Sequence, residues 1–389
     1  MAKNGYKVLD SDLHLMEPAD LFERYMDPLL RERGPKATAK GAGHYARWTL
    51  DGSPVPPWAQ DERIWKVNAD RDRQAQEIMS EGWASNFDAN TSLAAMDKEG
   101  IDIAIMFRTA ASMFISKDSL EPQTSLAICR AFNNWVADYC KVNPKRLKGT
   151  SIVPQQDPEL AAQEARRSVQ ELGSVGLVLL PMPIAGLHPH DREFDVLWRE
   201  AESLGVPICF HGTSGAVSKE YVGSRFVGHP AYRTILHTTV FPIELMMTMS
   251  SMIMGGVLER FPKLRVAFLE GNCSWLPWWL YRMDDQWEKF GPGEDVNLSQ
   301  SATEYFLRQC YISVDADESL VEDVVKRLGD ENLVFSTDYP HPDSAYPHAT
   351  EEILSIDGLS SESKKKILWD NCVRLYGLQR DVDIDEVAG

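Results

Sequence analysis

Eight short apolar segments recur along this chain, and each is followed by a stretch whose apolar residues have helical spacing. Apolar strands bounded by helices are typical of a parallel sheet that is covered on its outer face. Eight such units predict a closed (β/α)8 barrel, or TIM barrel. An open, doubly wound sheet is the alternative, but no glycine-rich phosphate loop follows the first strand. The strands are predicted to begin at Val8, Ile101, Leu147, Val175, Val206, Leu264, Cys310 and Asn332.

Titratable residues stand where several of these strands end. Asp12 and His14, at the end of strand one, are two positions apart, so in a strand they point to the same face. A carboxylate and an imidazole that converge on one point can bind a divalent metal. Because active sites of such barrels lie at the carboxyl ends of the strands, this rim is the expected site. The other strand ends contribute His211, Glu270, Asp315 and Asp338.

One stretch interrupts the alternation of strands and helices. Residues 34–81, after strand one, are rich in Gly, Pro and Trp, and the turn Asp51-Gly52 follows a strand-like segment that ends at Leu50. Long connections in compact domains are usually functional or disordered, and the tryptophans argue against disorder. We therefore predict one domain over residues 1–389, with residues 34–81 as an insertion that forms a lid.

The charge and cysteine content exclude some functions. The chain has 40 Lys and Arg against 58 Asp and Glu, a net charge of −18. Such an acidic chain is a poor partner for nucleic acid or an anionic membrane. The six cysteines are scattered without a CxxC pair, which is typical of reduced core cysteines in a cytosolic protein. With no apolar signal segment at its start, the protein is expected to be cytoplasmic.

Four motifs together resemble the amidohydrolase superfamily, and in particular the branch of aminocarboxymuconate-semialdehyde, gamma-resorcylate and carboxyvanillate decarboxylases. The resemblance covers nearly the whole chain apart from the insertion. Its motifs are Asp10-Ser-Asp12-Leu-His14-Leu-Met-Glu17-Pro18, Phe210-His211-Gly212, the segment from Met254 to Arg265 containing Gly-Val-Leu-Glu-Arg-Phe-Pro, and Ser336-Thr-Asp338-Tyr-Pro-His341.

The resemblance implies a metal-dependent enzyme whose ligands are Asp12, His14, His211 and Asp338. Asp12 replaces the first histidine of the usual His-x-His pair, and Glu270 replaces the catalytic histidine that usually follows strand six. Strand four ends without a lysine that could bridge two metals, so one divalent ion is expected. Zn²⁺ is the first expectation, and Mn²⁺ and Fe²⁺ are the alternatives.

Such a site has two uses. If the metal activates a water molecule, the enzyme is a hydrolase that acts on a small aromatic or carboxylated substrate, and this is our first expectation. Stabilisation of charge on a bound acid leads to the alternative, a non-oxidative decarboxylase.

Asp338, Glu270 and His237 are the expected catalytic residues, with His237 in a loop before a helix from Pro242 to Arg260. Arg108, Arg225 and Arg233 could bind a substrate carboxylate. A homodimer is also expected.

Overall fold

Eight parallel strands form the barrel that the sequence predicts. The computed structural model describes residues 3–38, 46–56 and 69–379, without the side chains of residues 69–72. Two of the tryptophans in the predicted lid, Trp58 and Trp65, lie outside the described residues. The strands are β1 (Leu9–His14), β2 (Ile103–Phe107), β3 (Leu147–Gly149 and Ser151–Ile152), β4 (Leu177–Leu179), β5 (Ile208–His211), β6 (Val266–Leu269), β7 (Cys310–Asp315) and β8 (Leu333–Ser336).

Backbone hydrogen bonds close the barrel at its two seams. β3 is divided by Thr150, so that its first half pairs with β2 and its second half pairs with β4. At the other seam β1 lies beside the end of β8, where the Asp338 N–H donates to the carbonyl of Asp12 over 3.1 Å. The His14 N–H donates to the carbonyl of Tyr339 over 2.7 Å. This second seam places the ends of β1 and β8 side by side.

Helices alternate with the strands and cover the barrel. Side chains of Asp88, Glu121, Asp157 and Ser301 accept a backbone N–H in the first turn of the helices that follow them, which fixes where those helices begin. The helices are Leu21–Tyr25, Ala69–Ile78, Ser80–Ser85, Ala89–Glu99, Ala111–Ile115, Pro122–Cys140, Pro158–Leu172, Asp195–Leu204, Tyr232–Met254, Val257–Arg260, Leu276–Phe290, Ala302–Gln309, Val321–Leu328, Ala349–Ser355, Ser361–Lys365 and Asn371–Tyr376, the last two joined by the π-helical Lys366–Asp370. In the described part of the chain, no helix has the length and apolar character needed to cross a membrane.

The helix after β5 corrects the sequence prediction. It begins at Tyr232, ten residues before Pro242, and contains that proline in its interior. The predicted start at Pro242 was wrong because proline is common in the first turn of helices and rare inside them. His237 therefore lies on this helix instead of in a loop.

The described part of the insertion forms a small antiparallel sheet. Trp48–Leu50 and Ser53–Val55 form the predicted hairpin, and Lys36–Ala37 pairs with its first strand. Asp51 and Gly52 take the left-handed conformation that a two-residue hairpin turn requires. Trp48 is buried edge-on against Phe114 of the barrel, with ring centroids 5.4 Å apart. Trp48 therefore anchors the insertion to the core of the barrel.

Candidate metal centre

Asp12, His14 and His211 converge at the mouth of the barrel. Nε2 of His211 lies 3.1 Å from Oδ1 of Asp12 and 3.2 Å from Nε2 of His14. Nε2 of His14 lies 3.4 Å from the same Asp12 oxygen. Two ligands that share a metal at about 2.1 Å are about 3.0–3.4 Å apart when they are adjacent, as octahedral and tetrahedral geometry require. The three donor atoms therefore have the spacing of ligands to one cation.

The electronic state of these residues also fits a cation. Oδ2 of Asp12 is buried and lies 3.1 Å from Nε2 of His211 but accepts no hydrogen bond from the described residues, which is costly unless another partner binds it. Burial first, and then the nearby His341, His211 and Arg108, lower the pKa of His14 well below its ordinary value, so its imidazole is neutral. Nδ1 of His211 lies 2.9 Å from the carbonyl of Gly212, which can accept its proton and leave Nε2 with a lone pair.

Asp338, the fourth expected ligand, belongs to a second group of potential ligands with His14 and His341. Its Oδ1 lies 3.2 Å from Nε2 of His14 and 2.7 Å from Nδ1 of His341. Burial raises the pKa of Asp338, although His341 opposes this, to about 6. Burial opposes the charge on His341, but Asp338, Asp343 and Asp12 together raise its pKa to about 9. Asp338 and His341 therefore form an ion pair at neutral pH.

His341 ends the last of the four motifs, although the sequence predicts no role for it. The one feature of the sequence that points to a role in the site is its position three residues after Asp338, at a strand end. Nε2 of His341 lies 3.4 Å from the hydroxyl oxygen of Thr109, which is 3.2 Å from Nδ1 of His14. One threonine hydroxyl thus connects two imidazoles of the site.

Glu270 stands directly after β6, and its carboxyl approaches His211. Oε2 of Glu270 lies 3.2 Å from Nδ1 of His211. Burial raises the pKa of Glu270 well above its ordinary value, and the negative charges of Asp338, Asp12 and Asp343 raise it further. The carboxyl therefore favours its protonated form. This is the protonation state that a general acid needs before it reacts.

Glu270 and Asp338 share an unusual backbone conformation. Their φ angles are 58° and 57°, in the left-handed region that few non-glycine residues adopt. Such a conformation costs on the order of 1–3 kcal/mol and persists where the surrounding structure enforces it, often at functional sites. The two carboxyl groups are therefore held at the barrel mouth against the local preference of the chain.

Two buried carboxyl groups, missed as functional by sequence reasoning, support the strand ends. Asp10 accepts hydrogen bonds from the Thr337 hydroxyl and from the backbone N–H of Asp12, over 3.0 Å in the second case. Glu17 accepts the backbone N–H groups of Thr109, Ala110 and Ala111 over 2.9–3.0 Å. Asp10 thus joins the segments that carry Asp12 and Asp338, and Glu17 joins the loops after β1 and β2. Both residues stand in the first quoted motif.

A pocket opens beside the donor atoms. Glycine at position 212 allows the ring of Phe241 to pack against the backbone there, because a Cβ on residue 212 would lie only 2.4 Å from that ring. His237 lines the pocket from the helix after β5 and lies 3.7 Å from Asp343, outside both ligand groups. Arg108 and Arg233 line it as well, whereas Arg225 does not. The lining includes Ala46, Arg47, Trp48, Val55 and Pro56 of the insertion, and Met113, Tyr232, Leu236 and Phe241 of the barrel.

Two curated relatives are similar to this chain over most of their length. The gamma-resorcylate decarboxylase of Polaromonas sp. is 26% identical over 297 residues, which cover 73% of this chain and 86% of the relative. The 2-amino-3-carboxymuconate-6-semialdehyde decarboxylase of Dictyostelium discoideum is 27% identical over 303 residues, which cover 78% and 79%. These are the classes of enzyme that the four motifs resemble, and the expectation of an enzyme is confirmed.

A solved structure and a family model cover almost the entire chain. The 5-carboxyvanillate decarboxylase of Novosphingobium aromaticivorans, in complex with manganese and 4-hydroxy-3-methoxy-5-nitrobenzoic acid, matches with a TM-score of 0.69 at 20% identity, covering 97% of each chain. This likeness confirms the fold. The family model described as amidohydrolase matches residues 10–378. The chain belongs to the amidohydrolase family.

Proposed function

We propose that this enzyme is a metal-dependent, non-oxidative decarboxylase that releases CO₂ from an aromatic acid. The observation that carries the proposal is the position of Glu270. Burial and nearby negative charge raise the pKa of its carboxyl, which adjoins the candidate ligand His211 and lines a pocket with aromatic walls. Replacement of a carboxylate on a ring by hydrogen needs a proton donor at that carbon. The two curated relatives are decarboxylases, which favours this function over the hydrolysis that the sequence analysis placed first.

We propose that Asp12, His14, His211 and Asp338 hold one divalent metal ion. Two carboxylates and two imidazoles suit Mn²⁺, Fe²⁺ or Zn²⁺, and the manganese in the solved decarboxylase favours Mn²⁺. When bound, the ion would bind the substrate's carboxylate and stabilise negative charge during the reaction. The protein's part is to keep His14 neutral and to direct Nε2 of His211 inward through the contact with Gly212.

The chain's own residues divide the proton work. Glu270 gives its proton to the ring carbon, and the carbon–carboxylate bond then breaks with release of CO₂. The ring keeps the electron pair of that bond, so one proton is consumed for each CO₂ released. The Asp338–His341 ion pair keeps a carboxylate beside His14. His237, on another wall of the pocket, is the second candidate for the donor.

We further propose that the insertion acts as a lid. Its hairpin contributes Trp48 and Val55 to the pocket wall, and an ion pair between Asp51 and Lys117 joins its tip to the barrel over 2.9 Å. Such a wall excludes water from the reacting carbon. Shortening the hairpin at Asp51-Gly52 should leave a folded barrel with impaired turnover. Unchanged turnover with the preferred acid would contradict a lid.

A substrate screen tests the function. The Mn²⁺-loaded enzyme is incubated with 2,6-dihydroxybenzoate, 5-carboxyvanillate and 2-amino-3-carboxymuconate-6-semialdehyde, and released CO₂ is measured. Amides, esters and lactones of the same aromatic acids form the parallel panel, scored for released acid. The His211→Ala variant, treated in the same way, measures the background. Release of acid from the second panel without CO₂ from the first would restore the hydrolase.

A further inference from the structure

We propose that Arg108 recognises a second anionic group of the substrate, distinct from the carboxylate that leaves as CO₂. This inference deepens the proposed decarboxylase function and rests on it. The enzyme would therefore prefer an aromatic acid with two acidic substituents to one with a single carboxylate.

The guanidinium of Arg108 is buried and forms no direct ion pair with a described carboxylate, although Glu270, Asp12 and Glu17 lie near enough to attract it. The residue is 2% exposed, and none of the described carboxylates forms an ion pair with it. Its Nη2 donates to the carbonyl of His211 over 2.7 Å, and both Nη atoms lie 3.3 Å from the carbonyl of Gly212. Its Nε finds no hydrogen-bond partner among the described residues. Five N–H donors thus share two carbonyl acceptors, which leaves capacity for an anion.

Burial of a charge without a counter-ion is unfavourable, and proteins usually supply one. Burial lowers the pKa of Arg108 to about 10, which still leaves the group charged at neutral pH. Because Arg108 lines the pocket, a bound anion can form the direct ion pair that the nearby Glu270, Asp12 and Glu17 do not form. A planar carboxylate matches the fork of the guanidinium and can form two parallel hydrogen bonds with it.

The pocket concentrates positive charge on an acidic chain. Three arginines (Arg47, Arg108 and Arg233) line it against two carboxyl groups (Glu270 and Asp343), although the whole chain carries a net charge of −18. Low-dielectric walls strengthen the potential of charges that line a cleft. The pocket therefore favours a substrate with more than one negative group.

The position of Arg108 separates this second group from the metal. Nη1 of Arg108 lies 3.2 Å from Nδ1 of His211, whereas Nε2 of the same ring faces Asp12 and His14. The imidazole of His211 thus stands between the guanidinium and the proposed metal position. One small carboxylate cannot bind both, so the group at Arg108 is a different substituent of the ring.

Binding of two unreactive probes tests the assignment. Benzene-1,3-dicarboxylate and benzoate are titrated into Mn²⁺-loaded enzyme by calorimetry. The wild type should bind the dicarboxylate about 10- to 100-fold more tightly, since a bidentate charge-assisted pair has this effect. Arg108→Gln can still donate to the carbonyl of His211 but has no charge, so it should bind the two probes equally. Arg108→Lys should restore part of the preference. Arg199→Gln, an exposed arginine on an outer helix, is the matched control.

Metal content and melting temperature separate recognition from a merely structural role. Loss of metal, or equal weakening of both probes in Arg108→Gln, would show that Arg108 only holds the end of β5. An undiminished preference for the dicarboxylate in Arg108→Gln, or in the equally uncharged Arg108→Met if the Gln variant does not fold, would also overturn the proposal. Failure of the decarboxylase function is seen separately, as a wild type that prefers the dicarboxylate but releases no CO₂ from any acid.

Discussion

The two sides of the candidate metal centre each place a carboxyl group beside an imidazole, yet the proton rests on different partners. On one side Glu270 lies 3.2 Å from Nδ1 of His211, and burial with nearby negative charge keeps Glu270 protonated. On the other side Asp338 lies 2.7 Å from Nδ1 of His341, and the imidazole carries the proton with a pKa of about 9. Similar residue types therefore provide a neutral acid on one side and an ion pair on the other.

The difference follows from the surroundings of each pair. Glu270 is buried near Asp338, Asp12 and Asp343, whose negative charges oppose its ionisation, whereas the guanidinium of Arg108 only partly favours it. His341 lies near Asp338, Asp343 and Asp12, whose charges favour the imidazolium. The chemistry of a histidine–carboxyl pair is thus decided by its neighbours as much as by its distance.

The largest expected difference is in metal content. His211→Ala should abolish metal binding, because it removes a donor atom that lies within 3.2 Å of two others. His341→Ala should retain a metal, since His341 lies outside the group of donors formed by Asp12, His14 and His211. Elemental analysis of both purified variants gives the ratio of metal to protein. His190→Ala, at a half-exposed histidine away from the site, is the control. Full occupancy in His211→Ala would remove His211 from the ligand set.

The next effect concerns turnover at Glu270. Glu270→Gln keeps the shape of the side chain but cannot give up a proton. General acid catalysis contributes about 10²- to 10⁴-fold, so the rate should fall by that order while metal content and melting temperature change little. The pH–rate profile should also lose the limb that reports the carboxyl. A near-native rate would move the proton transfer to His237, and loss of the metal would make Glu270 a ligand.

A smaller effect is expected at the ion pair. His341→Asn removes the imidazolium that holds Asp338, and a residue that orients a metal ligand typically contributes about 10- to 100-fold to affinity. Competition with a chelator measures the dissociation constant of Mn²⁺ in the variant and in the wild type. An unchanged constant would mean that Asp338 does not need His341, and would leave the 2.7 Å contact without a role in metal binding.

Much of the fold could be predicted because each element carries its own local signal. Apolar runs such as Val206–Phe210 predict all eight strands, and the residue that ends each run predicts which side chains lie at the barrel mouth. The hairpin at Asp51-Gly52 was predicted from a turn dipeptide that determines its own conformation. These patterns depend on a few adjacent residues, so one sequence is enough to recognise them.

The properties that were missed depend on contacts distant in sequence. His341 shares no local pattern with His14, although their ring centroids are 4.1 Å apart. Arg108 donates to carbonyls more than a hundred residues away in the sequence, and sequence alone does not distinguish this arginine from Arg225. The expected dimer and the cytoplasmic location stay predictions, and so do the roles of the individual site residues.

The smallest effect is the pH dependence of stability in the metal-free enzyme. In the folded chain His341 has a pKa of about 9, above its ordinary value of 6.5, so the fold binds this proton more tightly than the unfolded chain does. The resulting stabilisation is fully present below about pH 6.5 and is lost as the pH rises through about 9. Glu270 acts in the same direction, because its raised pKa resists an ionisation that the unfolded chain undergoes above about pH 4.5.

Melting temperatures of chelated protein between about pH 6 and 10 separate these contributions. The wild type should melt a few degrees above His341→Asn at the acidic end, and this difference should vanish as the pH passes about 9. Glu270→Gln should instead gain relative to the wild type as the pH rises, since it has no proton to lose. If the difference between the wild type and His341→Asn were constant across the range, the imidazolium would not be the source of the stabilisation. The pairing of His341 with Asp338 would then be a contact between neutral groups, and the two sides of the centre would hold their protons alike.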